Sequence, residues 1–405
     1  MHYKATAPLD LDAALARVLD QVAACTEPER VAVRNAHGRV AAEPIRSATD
    51  LPPFAASAMD GYAFRWRAGI SSLELAGDSL AGHPFAGSVR KGECARIMTG
   101  APLPADCDTV VVQEDCDRDG TEIRIREVPR QGANVREAGD DLRRGDVVVA
   151  AGKRIGPFDV GTLAACGCAT APVRARPRVA VFSTGDELQQ PGTALEFGNI
   201  YDSNRFAVEA LLTRLPVEVD NLGVLADDAR TVATSLTAAG ESADLILTSG
   251  GVSVGDADHV KSTVEALGEL SFWRLNLKPG KPLAFGRIGG AFFLGLPGNP
   301  VSTIVTYLLI ARPAIEKLCG MQPSQPVTVG AGLTEPIRHK PGREEYQRGI
   351  ATGAGDDIRV RTTGAQGSNR MSTFAEANCL IRIPKGKGSL NSGDRVEVLL
   401  FEGLL

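Results

Sequence analysis

Residues 245–258 read Leu-Ile-Leu-Thr-Ser-Gly-Gly-Val-Ser-Val-Gly-Asp-Ala-Asp, an apolar run of strand length that breaks into a loop of glycines, hydroxyls and carboxylates. The pattern occurs twice more. Residues 179–187 read Val-Ala-Val-Phe-Ser-Thr-Gly-Asp-Glu, and residues 292–300 read Phe-Phe-Leu-Gly-Leu-Pro-Gly-Asn-Pro. Glycines let backbone N–H groups come close to a bound anion, and carboxylates in the same loops can hold a divalent metal against it. Together the three loops point to a phosphorylated ligand and a metal.

Outward from these loops, residues 178–320 alternate between two periodicities. Residues 179–182, 217–222 and 245–247 read as strands, and 203–215, 228–239 and 258–267 as helices. Further β-like runs at 272–277, 283–285 and 292–294 precede a helix over 300–318 that Gly320 stops. Strand alternating with helix predicts a parallel sheet covered on both faces. Ligands of such sheets bind beyond the carboxyl ends of the strands, where all three loops fall, so the loops are expected to converge. The flanks read differently. Residues 1–45 read as largely helical, and 46–145 as a separate β-rich module with short runs at 73–75, 109–113 and 122–126. The basic, Pro-terminated segment 174–177 marks a boundary near Ala175. Residues 323–405, with runs at 327–329, 358–360, 380–383 and 396–400, read as a small β-barrel or sandwich.

A chain of 405 residues, 43% of them apolar, can bury more than one core. Its net charge of −5 argues against a nucleic-acid surface, so any anion site must be a local cationic pocket. Eight scattered cysteines without paired CxxC spacing indicate neither a zinc site nor a disulfide framework, and predict a reducing, cytoplasmic location. The first 24 residues lack a basic segment followed by an apolar core, and are not read as a signal peptide. The longest apolar stretch, 301–315, contains Ser302, Thr303, Thr306 and Arg312 and is too short to span a bilayer.

Asn299-Pro300 predicts a helix start, because Asn is a favoured N-cap and Pro fits the first helical position. Asn-Pro alone reads more often as a merely capped helix, and Gly298 just before it brings an anion site level with that reading. Residues 248–258 supply Gly250, Gly251, Ser253, Asp256 and Asp258; either aspartate could coordinate Mg²⁺ or cap the following helix. Asp186 and Glu187 form a second acidic pair, alternatively a solvated turn, and Asp227 reads most economically as an N-cap. Lys278-Pro279-Gly280-Lys281-Pro282 sets two ammonium groups on a stiff turn that could clamp an oxyanion, or is an ordinary hairpin turn. Asp60 within 57–63, the 98–102 loop, Asp140-Asp141 and the charged cluster 343–348 read, on physics alone, as turns or exposed surface.

Read in order, Ser-Ala-Met-Asp-Gly-Tyr-Ala (57–63), Ile-Met-Thr-Gly-Ala-Pro (97–102), Ser-Thr-Gly-Asp-Glu-Leu (183–188), Ser-Gly-Gly-Val-Ser-Val-Gly-Asp-Ala-Asp (249–258), Lys-Pro-Gly-Lys-Pro (278–282) and Leu-Pro-Gly-Asn-Pro-Val-Ser (296–302) resemble the MoeA family of molybdopterin molybdenumtransferases, related to the gephyrin E domain. Each string alone is weak. Six in this order over nearly the whole chain are specific. The resemblance implies an α/β plus β, multidomain, L-shaped subunit. Its parts would be a first domain of 1–45 and 146–176, a β-rich domain of 46–145, a three-layer α/β/α molybdopterin-binding domain of 177–322, and a C-terminal β-barrel-like domain of 323–405. The implied reaction takes adenylylated molybdopterin and molybdate, hydrolyses the adenylate in a Mg²⁺-dependent step, and releases AMP with the molybdenum cofactor formed.

Position by position, the resemblance implies catalytic roles for Asp258, Glu187, Asp60, Thr99, Asp141 and Lys278, and metal ligation by Asp227 and Asp258. Substrate would be held by Gly250, Gly251, Ser253, Arg274, Lys281, Pro297, Gly298, Asn299, Pro300, Ser302, Arg348 and Ser368. Arg274 departs from the lysine common in the family, and its fork prefers planar, bidentate partners. The implied partners are a second copy of the chain that completes the site, the preceding adenylyltransferase and apo-molybdoenzymes, with no nucleic acid and no membrane. Two other readings remain, an adenylyltransferase-like enzyme sharing the α/β domain and a non-catalytic gephyrin-like scaffold. A Rossmann dehydrogenase is excluded because no G-x-G-x-x-G follows the first strand.

Overall fold

A computed structural model describes residues 8–24, 27–226, 228–250 and 259–404. Its centre is a six-stranded sheet in the order Glu218–Leu225, Arg178–Thr184, Leu245–Ser249, Ala291–Leu296, Pro282–Ile288, Gly268–Arg274. The first four strands are parallel, and the last two join antiparallel at one edge. Apolar residues fill the three inner parallel strands on both faces because both are covered, whereas the edge strand Glu218–Leu225 is largely exposed. Val179, Val181, Leu247 and Leu294 point into one core with Val208 and Leu212 of the helix Asn204–Leu212 and with the helical segment that begins at Pro300. Their neighbours Ala180, Phe182, Ile246 and Phe293 point into the other, against Val232 and Leu236 of the helix Ala229–Ser242 and Val264 of His259–Leu267. The alternation of side chains along each strand thus divides the residues between two cores and makes the domain three layers thick.

The helix expected over 300–318 runs as Pro300–Thr306, a π-helical turn at Tyr307–Ala311, and Arg312–Leu318. Pro313 has no N–H for Leu309 and its ring crowds that carbonyl, and the wider π turn lies just before it. Gly320, at φ +82°, ends the helix: its N–H reaches the Lys317 carbonyl and the Met321 N–H the Glu316 carbonyl. This paired closure uses a left-handed residue that glycine adopts without a Cβ clash.

The expectation that residues 1–45 are largely helical is corrected. Among its described residues only Leu11–Gln21 is helical, apart from a short 3₁₀ turn, and it buries Leu11, Ala14 and Val18 in the first α/β core. Pro28–Ala32 is a strand paired antiparallel with Thr170–Arg174, because the Val and Ala residues there serve a sheet. Between these lies a six-stranded sheet in the order Thr109–Val112, Gly61–Phe64, Glu93–Ile97, Ser72–Ser79, Glu122–Ile125, Cys116–Asp119. In the C-terminal region the strands Glu344–Thr352, Arg359–Thr362, Thr328–Leu333, Arg395–Leu400 and Cys379–Ile383 close into a five-stranded barrel through pairing of the first with the last. No helix among the described residues is long and apolar enough to cross a membrane.

Candidate active site

Beyond the carboxyl ends of the parallel strands lies a cavity of about 1090 Å³. Thr184 and Glu187 from the first loop, Ser249 and Gly250 from the second, and Pro297 to Pro300 from the third all line it. The loops converge as parallel-sheet topology requires. The close approach of the second loop to the first depends on a missing side chain, whereas its contact with the third is of ordinary van der Waals length. Gly250 has φ +94°, and a Cβ there would sit 3.1 Å from the Thr184 carbonyl; one on Gly298 would sit 3.6 Å from Gly250 Cα. Asn299 and Pro300 do start a helix, although the Asn299 side chain makes no capping bond, and Thr303 Oγ1 instead donates to the Pro297 carbonyl at 2.5 Å.

Beneath the floor runs a buried polar network that sequence reasoning missed. Asp202 and Arg205 are each 1% exposed and pair at 2.9 Å, and the Ser183 hydroxyl donates to Asp202 at 3.2 Å and lies 3.0 Å from Ser249. Both Asp202 oxygens are thereby engaged, so it supports the loops. Asn204, next to it, donates from Nδ2 to the Gly298 carbonyl at 2.7 Å, tying the third loop to the helix Asn204–Leu212. The Tyr201-Asp202-Ser203-Asn204 string before a helix was the available signal, since such residues favour helix starts.

The opposite wall comes from the barrel. Leu277–Lys278 pairs in parallel with Glu344 and Glu345, so the expected stiff Lys-Pro-Gly-Lys-Pro turn stitches the α/β sheet to the C-terminal strand rather than forming a solvated hairpin. Lys278 Nζ lies 2.8 Å from Glu345 Oε1, which also accepts from Gln347 Nε2 at 3.0 Å. The reading of 343–348 as exposed surface is therefore corrected: Glu345, Gln347 and Arg348 are buried, and Glu345 and Arg348 face the cavity. The Glu345 charge is inside because Lys278 pairs with it, and the Arg348 charge because hydroxyl and carbonyl oxygens accept its N–H groups.

Arg348 is fully buried and donates from Nε to Thr373 Oγ1 at 3.0 Å and from Nη2 to the Gly367 carbonyl at 3.2 Å. Burial pulls its guanidinium down to about 10, opposed by the charge of Glu345, and it stays a cation at neutral pH. It fixes the 365–367 backbone, and the adjoining Ser368 carbonyl accepts the Val301 N–H at 3.0 Å. Lys278, Lys281, Arg343 and Arg348 thus surround one cavity in a chain of net charge −5. This is the local cationic pocket that the composition demands of any anion binder.

The cavity brings together Glu187, Gly250, Lys278, Lys281, Pro297, Gly298, Asn299, Pro300, Ser302, Arg348 and Ser368 of the expected residues. Asp60, Thr99, Asp141 and Arg274 do not line it. Asp60 accepts from the Thr99 N–H and hydroxyl, each at 2.7 Å, and these bonds hold its carboxyl below the usual aspartate range. Arg274 ends an edge strand, its carbonyl accepting the Leu9 N–H. Asp258, Gly251, Ser253, Asp256 and Asp227 lie outside the described residues; the N-cap role expected of Asp227 falls to Asp228, which accepts from the Thr231 N–H at 2.8 Å. Among the described residues, Glu187 and Asp202 are the carboxylates on the strand-loop side of the cavity, and Asp202 is engaged by Arg205. No group of three His, Cys, Asp or Glu side chains gathers as a metal site among the described residues. These residues alone do not fit Mg²⁺, which needs several oxygen ligands.

Residues 9–167 match the MoeA N-terminal region, domains I and II; residues 180–317 match a probable molybdopterin binding domain; residues 330–401 match the MoeA C-terminal region, domain IV. The molybdopterin molybdenumtransferase of Haemophilus influenzae is 40% identical over 98% of this chain and 100% of its own length, and that of a Nostoc species is 33% identical over 90% and 86%. Among solved structures, the molybdopterin biosynthesis MoeA protein of Pyrococcus horikoshii superposes with a TM-score of 0.81 at 32% identity, covering 98% of this chain and 100% of that one. With these three regions matched in order along it and a relative 40% identical over 98% of its length, the chain belongs to the MoeA family of molybdopterin molybdenumtransferases.

Proposed function

We propose that this transferase moves molybdenum from molybdate onto adenylylated molybdopterin, hydrolysing the adenylate and releasing AMP, as the last shared step in making the molybdenum cofactor. The observation that carries the reading is the 1090 Å³ cavity with Lys278, Lys281, Arg343 and Arg348 on its walls, set where three glycine loops meet. Its volume suits a pterin–nucleotide conjugate, and its cations suit both phosphate and a tetrahedral oxyanion. In this reading Lys278 and Lys281 hold the oxyanion, the backbone at Gly250 and Gly298 lies against phosphate, and Arg348 keeps the Ser368 loop in place. Asp258 and Glu187 act at the adenylate. Asp227 and Asp258 would hold Mg²⁺, whose part is to neutralise phosphate charge, and EDTA should then stop AMP release while leaving pterin binding in place.

Asp60, Thr99 and Asp141 lie away from the cavity of their own chain, which supports a homodimer in which each cavity is completed by the other copy. Cytoplasmic location and contacts with the preceding adenylyltransferase and apo-molybdoenzymes belong to the same reading. The test is AMP release by purified protein given adenylylated molybdopterin, Mg²⁺ and molybdate, with activation of an apo-molybdoenzyme as the second readout. Molybdate-dependent AMP release with active cofactor is the expected result. Consumption of ATP with molybdopterin would instead mark an adenylyltransferase, and binding without turnover a scaffold.

A further inference from the structure

A second cavity, of about 350 Å³, shares no lining residue with the first. Lys153 and Arg154 come to it from the turn before the helix Pro157–Ala165, Arg214 from just beyond the helix Asn204–Leu212, and Tyr307, Arg312 and Glu316 from the π turn and the helix after it. Four cations therefore meet one acid. That acid is already engaged, since Glu316 accepts from Arg312 at 3.0 Å and from the Ser324 N–H at 2.7 Å. Lys153 is held by Asp159 at 2.6 Å, and Arg214 has no carboxylate within salt-bridge distance among the described residues.

The floor supplies an independent indication. Tyr307 is 1% exposed, and its buried hydroxyl has no hydrogen-bond partner among the described residues. A buried hydroxyl left unpaired is costly, so the site calls for an acceptor. Burial pushes the phenol well above its ordinary range, so it stays an O–H donor at neutral pH. A donor on the floor with guanidinium and ammonium donors on the walls complements a group that only accepts. Arginine forks favour phosphate, which they bind through two parallel hydrogen bonds, and a cavity of this size admits more than one phosphoryl group.

We infer that this cavity is a second oxyanion site, separate from the proposed reaction, that binds a small phosphate compound of the size of inorganic pyrophosphate. The protein has five tyrosines, so a 3-fluorotyrosine-labelled sample gives a simple ¹⁹F spectrum in which Tyr307→Phe assigns the Tyr307 signal. Titration with inorganic pyrophosphate is expected to move that signal saturably. The Arg154→Gln/Arg214→Gln variant, altered only at exposed side chains, is expected to weaken the response about tenfold while its other four signals stay in place. A Tyr307 signal that stays still at millimolar pyrophosphate overturns the inference, even where pyrophosphate binds in the first cavity. So does an equal response in the double variant, and citrate moving the signal at the same concentration overturns the assignment to phosphate.

Discussion

Glu345 is buried where the α/β sheet meets the barrel, with Lys278 Nζ 2.8 Å from Oε1 and the His339 ring 3.6 Å from Oε2. Glu345→Gln keeps the volume and removes the charge. Because Lys278 is 48% exposed, the loss of stability should fall below that of a fully buried pair, at about 1–2 kcal/mol, measured by urea denaturation. The freed ammonium should raise the KM for molybdate about tenfold with a smaller change in kcat, since it no longer waits in place. Equal KM values would show that Glu345 serves only the fold. Asp60 carries a prediction of a different kind. Its carboxyl is lowered first by the Thr99 backbone N–H and then by the Thr99 hydroxyl. A lowered folded-state pKa contributes stability above the unfolded value and loses it as pH falls through the folded one, so this contact matters above about pH 4 and fades in stronger acid. Thr99→Val should move the Asp60 titration upward towards the ordinary value, as followed by carboxyl ¹³C NMR; an unmoved titration would sink the role of the hydroxyl.

The α/β elements were legible in the sequence because parallel strands covered on both faces are plain apolar runs, and Val179 to Phe182 or Leu245 to Leu247 could be little else. The strand Glu344–Thr352 was not, since its buried residues include Glu345, Gln347 and Arg348. A cleft-facing strand hides its burial behind charge, and pattern reading takes that charge for surface. The same blindness covered Asp202 and Arg205, whose mutual pairing lets them occupy a core. The loop elements can be tested at Gly250. Gly250→Ala must hold a side chain at φ +94° and place its Cβ near the Thr184 carbonyl, at a cost of about 1–2 kcal/mol. It should fold and lose most of its pterin affinity in a calorimetric titration, because the second loop must retreat from the first; unchanged affinity would remove this loop from the binding site.

At the scale of the whole molecule, one chain holds Lys278, Arg348 and the glycine loops in its cavity and carries Asp60, Thr99 and Asp141 elsewhere. The proposed reaction needs both sets, and a two-fold homodimer supplies them if each copy lends its β-rich region to the other. Mixing variants separates this arrangement from a site completed by movement within one chain. Asp60→Ala and Lys278→Gln homodimers should each be nearly inactive. In a heterodimer of the two, one site carries both changes and the other carries neither. Unfolding and refolding an equimolar mixture yields heterodimers as half of all dimers, so activity should recover to about a quarter of the unmodified value. If both residues served the same chain's site, every site in the mixture would carry one lesion, and AMP release would stay at the level of the separate variants.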